Sequence, residues 1–213
     1  MTYILLISVK YSYSQLLDSA TLASKPVYTS LNEALKNPME VYRLNLRKSK
    51  LKELPNSLFI LTNLQELVVS KNKLTSIPKE IEKLKNLQYF DASNNKITQL
   101  NNLPDTLKKL DCSYNKIKLL DNLPPQLRVL NCSHNQITKL DLLPCGILKL
   151  DCSYNQITYL NDLPNGIEFL FCNNNKIQSL NCLPYNIKYL YCYDNEKNIN
   201  LQNLPKTIEK ILI

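Results

Sequence analysis

The sequence predicts an α/β repeat solenoid, a curved arc with a concave parallel β-sheet and a mostly extended, non-helical convex side. Three ladders predict it. Cys112, Cys132, Cys152, Cys172 and Cys192 stand twenty residues apart, and so do Asn115, Asn135, Asn155, Asn175 and Asn195. Leu103, Leu123, Leu143, Leu163 and Leu183 keep the same step, and a proline follows each, from Pro104 to Pro184. Upstream the unit lengthens to 23 residues, where Leu64, Leu67, Val69, Asn72 and Leu74 return as Leu87, Phe90, Ala92, Asn95 and Ile97. A degenerate first copy, Val41, Leu44, Leu46, Ser49 and Leu51, precedes them. A unit this short cannot bury its own apolar row, so units stack and their strands form one parallel sheet. Eight units and a partial ninth strand, at about 4.8 Å per strand, give an inner edge of about 40 Å.

In chain order, residues 1–40 make an N-terminal segment and residues 41–213 the repeat domain. A short strand and a loose helix are expected in residues 1–29, which carry Tyr3, Tyr11, Tyr13 and Tyr28. Ser30-Leu31-Asn32-Glu33 has the form of a capping box, so a short capping helix is expected over about 30–37, until Asn37-Pro38 stops it. Such a helix would shield the apolar edge of the first coil. Each unit then opens with a short strand whose alternate residues, such as Leu110 and Cys112, point inward. The asparagine lets the chain turn and offers its amide to backbone groups of neighbouring coils. A second apolar pair, such as Leu120 and Leu123, completes the lining, and proline suits an extended back face. Ile208, Ile211 and Ile213 begin a ninth strand without the polar cap that solenoid ends usually need. The apolar edge, softened by Glu209 and Lys210, predicts self-association with a second copy or pairing with a partner.

Composition removes several function classes. The chain has 213 residues, 44% hydrophobic and 21% charged, enough for a sizeable core. Its two glycines, Gly146 and Gly166, stand twenty residues apart, which excludes phosphate-cradling loops and dinucleotide fingerprints. The single histidine, His134, speaks against histidine-based zinc sites and serine triads, and no cofactor is expected. The early apolar run from Tyr3 to Val9 has no preceding basic residue and is too short to span a bilayer. An odd cysteine count without a signal peptide fits reduced thiols and an intracellular, cytoplasmic setting, with no membrane partner. The net charge of +8 is local, because residues 36–85 hold eleven Lys+Arg against five Asp+Glu.

The pattern L-x-x-L-x-L-x-x-N-x-L, over residues 41–213, resembles that of leucine-rich-repeat proteins. The 23-residue units, with Leu54-Pro55 and Ile77-Pro78, look like the common intracellular type with a short helical turn outside. The twenty-residue units resemble the short bacterial-effector type, whose back face is extended. The resemblance implies a protein-binding role through the concave sheet, without enzymatic activity, and admits an effector-like interference with host signalling. Effectors of that type that are ligases carry a separate catalytic domain, and nothing in this sequence matches one.

The ladders themselves read as structure. Five sulfurs in a straight inward row cannot converge on a tetrahedral zinc, and parallel side chains disfavour a disulfide dihedral, so Cys112 to Cys192 are expected as small core hydrophobes. Cys145 and Cys182 fall on back-face turns and are expected to be the reactive thiols. Asp91, Asp111 and Asp151 share an outward position with Asn131, beside Lys109 and Lys149, and read as a solvated ion-pair stripe, not a catalytic set. His134 stands in the same column as Tyr114 and Tyr154.

The outward strand positions carry the functional expectation. Tyr154, Phe169, Phe171, Tyr189, Tyr191 and Tyr193 are predicted to cluster on the concave face as anchors for a protein partner. Lys109, Asp111, Lys149 and Asp151 would set orientation. The same aromatics would also be covered by self-association through the uncapped strand. The alternative of nucleic acid bound by the basic N-terminal repeats is less favoured, since single-strand binders interleave basic and aromatic residues and here they lie at opposite ends. An acidic protein partner fits the charge better.

Overall fold

The computed structural model describes residues 16–197 and 199–213. Tyr3, Tyr11, Tyr13 and the apolar run expected as a strand lie outside the described residues. Ten strands form one parallel sheet in chain order. These are β1 (Val27–Tyr28), β2 (Arg43–Asn45), β3 (Glu66–Val68), β4 (Tyr89–Asp91), β5 (Lys109–Asp111), β6 (Val129–Asn131), β7 (Lys149–Asp151), β8 (Phe169–Phe171), β9 (Tyr189–Tyr191) and β10 (Lys210–Leu212). The repeat predicts nine of them. β1 is the addition, laid beside β2 with Tyr28 opposite Leu44. The edge of the first coil is therefore occupied by a strand. Two short helices accompany it, α1 (Ser19–Ser24) and α2 (Leu31–Ala34). Ser30 caps α2 as the capping box requires, but α2 is shorter than the predicted 30–37, and Pro38 opens a separate helical turn, Pro38–Glu40.

The middle residue of each repeat strand faces the core. Leu67, Phe90, Leu130, Leu150, Leu170 and Leu190 are fully enclosed. Two positions on, Leu46, Val69 and Ala92 give way to the five cysteines, all buried. The side chains in this column shrink as the unit shortens from 23 to twenty residues, where less chain surrounds the core. The longer units carry the expected helical turns outside, at Asn56–Ile60 and Lys79–Lys83. The cysteines are free thiols. Cys112 Sγ donates to the Asn131 carbonyl and Cys132 Sγ to that of Asp151, both at 3.4 Å. Burial pushes the thiols of Cys112, Cys132, Cys152 and Cys172 well up, which keeps these four protonated and unreactive.

The asparagine ladder stitches coil to coil. Asn115 Nδ2 donates to the carbonyls of Ala92, Cys112 and Ser113 at 3.0–3.1 Å, and its Oδ1 accepts from Ile97 N at 2.9 Å. Asn135, Asn155, Asn175 and Asn195 repeat this pattern one coil at a time. All four bonds reach the backbone, two to the coil before and two to its own turn. No helix among the described residues is long and apolar enough to cross a membrane.

Candidate functional site

The first and third residues of each three-residue strand, β2 to β10, project from the concave face, and their identity changes along the arc. On β8 and β9 they are Phe169, Phe171, Tyr189 and Tyr191. The register sets Phe169 beside Tyr189 and Phe171 beside Tyr191. Their rings stack in two nearly parallel pairs, at 4.9 Å and 1° for the first and 4.8 Å and 15° for the second. That separation is the strand spacing itself, so the sheet dictates the stack. Lys149 Nζ from β7 lies 5.4 Å from the Phe171 ring centroid, and Lys210 Nζ from β10 lies 5.6 Å from that of Tyr191. The Tyr189 hydroxyl donates to Glu209 at 3.0 Å, and burial is secondary to that bond in raising its pKa.

The expected ion-pair stripe does not form. Ion pairs among the described residues join Lys36 to Glu33, Arg43 to Glu66, Lys139 to Asp141 and Lys188 to Glu168. The strand-end carboxylates turn back onto their own chain. Asp111 Oδ1 accepts from Ser113 N at 3.0 Å and its hydroxyl at 2.7 Å, and Asp151 accepts likewise from Ser153 at 3.1 and 2.6 Å. Asn131 does the same for Ser133 and donates to Asp111 Oδ2. A side chain that bonds two residues ahead closes an Asx turn, which a distant ammonium in water cannot outcompete. Burial raises the Asp111 pKa, against the pull of the Ser113 and Asn131 bonds.

Tyr154 stands apart from the four-ring raft. It belongs to a second stack on the rim, Tyr114–His134–Tyr154, with ring centroids 3.9 and 4.0 Å apart. All three residues hold left-handed backbone, with φ of 53°, 53° and 54°, a conformation taken by Asn94 and Asn174 in neighbouring coils. Desolvation between the rings lowers the His134 pKa, opposed by Asp151. Tyr193 lies past the end of β9 and is exposed.

Lys109 also falls elsewhere, three strands from the raft, about 14 Å along the sheet. There the N-terminal segment crosses the concave face. Asp18 caps α1 through Ala20 and Thr21, Arg43 donates to the Ala23 carbonyl at 3.2 Å, and Leu17 N donates to Gln65 Oε1. A groove of about 380 Å³ remains between α1 and the sheet, lined by Leu22, Arg43, Glu66, Tyr89, Lys108 and Lys109. Burial, followed by the charges of Asp91, Asp111 and Glu66, pushes the Tyr89 phenol up to about 12.

The sequence-predicted residues therefore separate into a raft with Lys149 and Asp151, a rim stack with Tyr154, and an N-terminal groove with Lys109 and Asp111 near it. Sequence reasoning missed the role of Lys210 and, although it expected a loose helix within residues 1–29, the place of α1 over the concave face. Registering Ile211 under Leu190 would have revealed Lys210, and Asp18 three residues before Thr21 is a capping signal for α1. Among the described residues no three His, Cys, Asp or Glu side chains gather to hold a metal.

Two family profiles described as leucine rich repeat match the chain, over residues 40–97 and 126–148. Among solved structures it resembles YopM from Yersinia enterocolitica, with 28% identity and a TM-score of 0.69 over 82% of this chain and 46% of that one. It resembles YopM of Yersinia pestis, described as a leucine-rich effector protein, with 25% identity and a TM-score of 0.69, over 82% of this chain and 60% of that one. It also resembles the functional domain of InlJ from Listeria monocytogenes, which includes a cysteine ladder, with 26% identity, a TM-score of 0.60, and coverage of 82% and 46%. The chain thus spans about half the length of these relatives. No curated protein matches the sequence.

Proposed function

This chain is a leucine-rich-repeat protein, and from that premise we propose that it is a non-enzymatic module that binds a protein partner on its concave face. The observation that carries the reading is the raft of Phe169, Phe171, Tyr189 and Tyr191 on strand positions the core does not use. Aromatic side chains held rigid by a sheet give contact area at little entropic cost on binding. The partner would meet a platform whose ordering was completed in folding.

Affinity capture from lysate, comparing wild type with a Phe171→Ala, Tyr191→Ala double variant of equal melting temperature, tests this. Loss of at least one captured partner is the expected result. If every partner survives the change equally, the raft is not the binding surface.

The likeness to a leucine-rich effector favours a second, narrower reading, in which the partner is a signalling protein of another organism. That reading expects capture from a host lysate and not from the producing cell. Nucleic acid bound through the basic N-terminal repeats is separated from both by salt, since phosphate contacts give a steep linear fall of log affinity with log salt.

A further inference from the structure

The geometry of the raft specifies more than an aromatic patch. The register sets Lys149, Phe169, Tyr189 and Lys210 in one row across β7 to β10 and Asp151, Phe171, Tyr191 and Leu212 in the next. The two lysines reach diagonally, so that their ammonium groups lie over the Phe171 and Tyr191 rings. The two rings cover each other's inner faces, and an ammonium lies over the other face of each. Neither Phe171 nor Tyr191 thus offers an open ring face for a nucleobase to stack upon. What faces solvent is ring edge, which carries the positive end of the aromatic quadrupole, between two cations.

The neighbouring carboxylates are already engaged. Glu168 pairs with Lys188 at 2.9 Å, Glu209 accepts from Tyr189, and Asp151 accepts from Ser153. Lys149 and Lys210 enter no ion pair among the described residues. The patch is thus an apolar centre flanked by two cations that, among the described residues, lie against ring faces and enter no ion pair.

We propose that this site, granted the protein-binding reading on which the inference rests, takes an extended acidic segment of its partner. That segment crosses the strands and carries two carboxylates four residues apart, with an apolar side chain midway. The spacing follows from the sheet. Lys149 and Lys210 arise three strands apart, about 14 Å, and an extended chain at about 3.4 Å per residue covers the same span between residues i and i+4. Residue i+2 falls on the same face and lands over the Phe171–Tyr191 stack.

The test is fluorescence anisotropy with a labelled nine-residue peptide bearing glutamate at its third and seventh positions, leucine at its fifth, and serine elsewhere. Saturable binding is expected, with affinity at least tenfold weaker for a Lys149→Met, Lys210→Met double variant, which keeps the aliphatic stems. A Lys149→Arg, Lys210→Arg variant should retain binding, and a peptide with its glutamates adjacent should lose it. No saturation up to millimolar peptide overturns the inference. So does equal binding by wild type and the methionine variant, or tighter binding of a single-stranded oligonucleotide than of the peptide. Lysate capture separates the two levels of the reading. A partner lost with Phe171→Ala, Tyr191→Ala but kept with the methionine variant leaves the raft standing and removes the acidic segment. A partner kept by both variants removes the raft itself.

Discussion

Asn155 makes four hydrogen bonds to backbone groups, those of Cys132, Cys152 and Ser153 as donor and Ile137 as acceptor, and it is buried. Each partner loses contact with water on folding and has no substitute if the amide is removed. Asn155→Ala is therefore expected to cost about 1–3 kcal/mol, seen as a lower urea midpoint at unchanged slope. An unchanged midpoint would mean that water serves these groups as well as the amide does. Leu142 offers the opposite case. It is 77% exposed and sits at φ 65°, where the corresponding turns use Asn102 and Asn122. A left-handed leucine costs roughly 1 kcal/mol and gains nothing from burial here, so Leu142→Asn is expected to raise the melting temperature by about 2–4 °C. A lowered melting temperature would reveal a contact of Leu142 that outweighs its backbone. No such gain is expected at Tyr114, His134 or Tyr154, which share the conformation but offset its cost by stacking on each other.

The cysteine column shows how far a repeat can be read at the level of elements. A twenty-residue step with alternating apolar residues can only place Cys112 to Cys192 in one inward row, and they lie there, free and buried. Cys145 and Cys182 fall on exposed turns. A maleimide is expected to label two thiols of the native protein quickly and all seven in urea, counted by mass spectrometry. A third rapid label would show that a coil opens on the labelling timescale. Periodicity gives strand positions and the columns they form, which is why Phe169 and Tyr189 were legible as neighbours. It does not give the local competition for a side chain. Asp111 and Asp151 chose serines two residues ahead over lysines two residues behind, because an intramolecular turn costs less entropy than an exposed ion pair. Outside the repeat the signal thins to single cues, such as the Ser30 capping box of α2. α1 is six residues long with no buried side chain, so no apolar stripe marks it, and its place over the concave sheet depends on Gln65 and Arg43 far along the chain.

At the scale of the whole molecule, charge and aromatic surface are segregated along a single axis. The excess Lys+Arg of residues 36–85 lies toward the first coils, partly beneath α1, and the raft lies on β8 and β9. Such an arrangement is stable only if each coil is held by its neighbours, since strand contacts join consecutive strands and the asparagine amides reach back one coil. Stability should then be graded. Leu130 in β6 is fully enclosed, whereas Ile211 in β10 is half-buried with exposed residues on either side. Backbone amides of β5 to β8 are expected to exchange with solvent deuterons most slowly, and those of β10 sooner. Leu130→Ala, at a cost of about 2–5 kcal/mol, should speed exchange in β5 and β7 alike, because a central coil supports both sides. Ile211→Ala should speed exchange in β9 and β10 while leaving β5 near its original rate. If Ile211→Ala accelerates β5 as much as β9, the solenoid opens as one cooperative body. The raft between β7 and β10 could then not loosen while the basic coils stay folded.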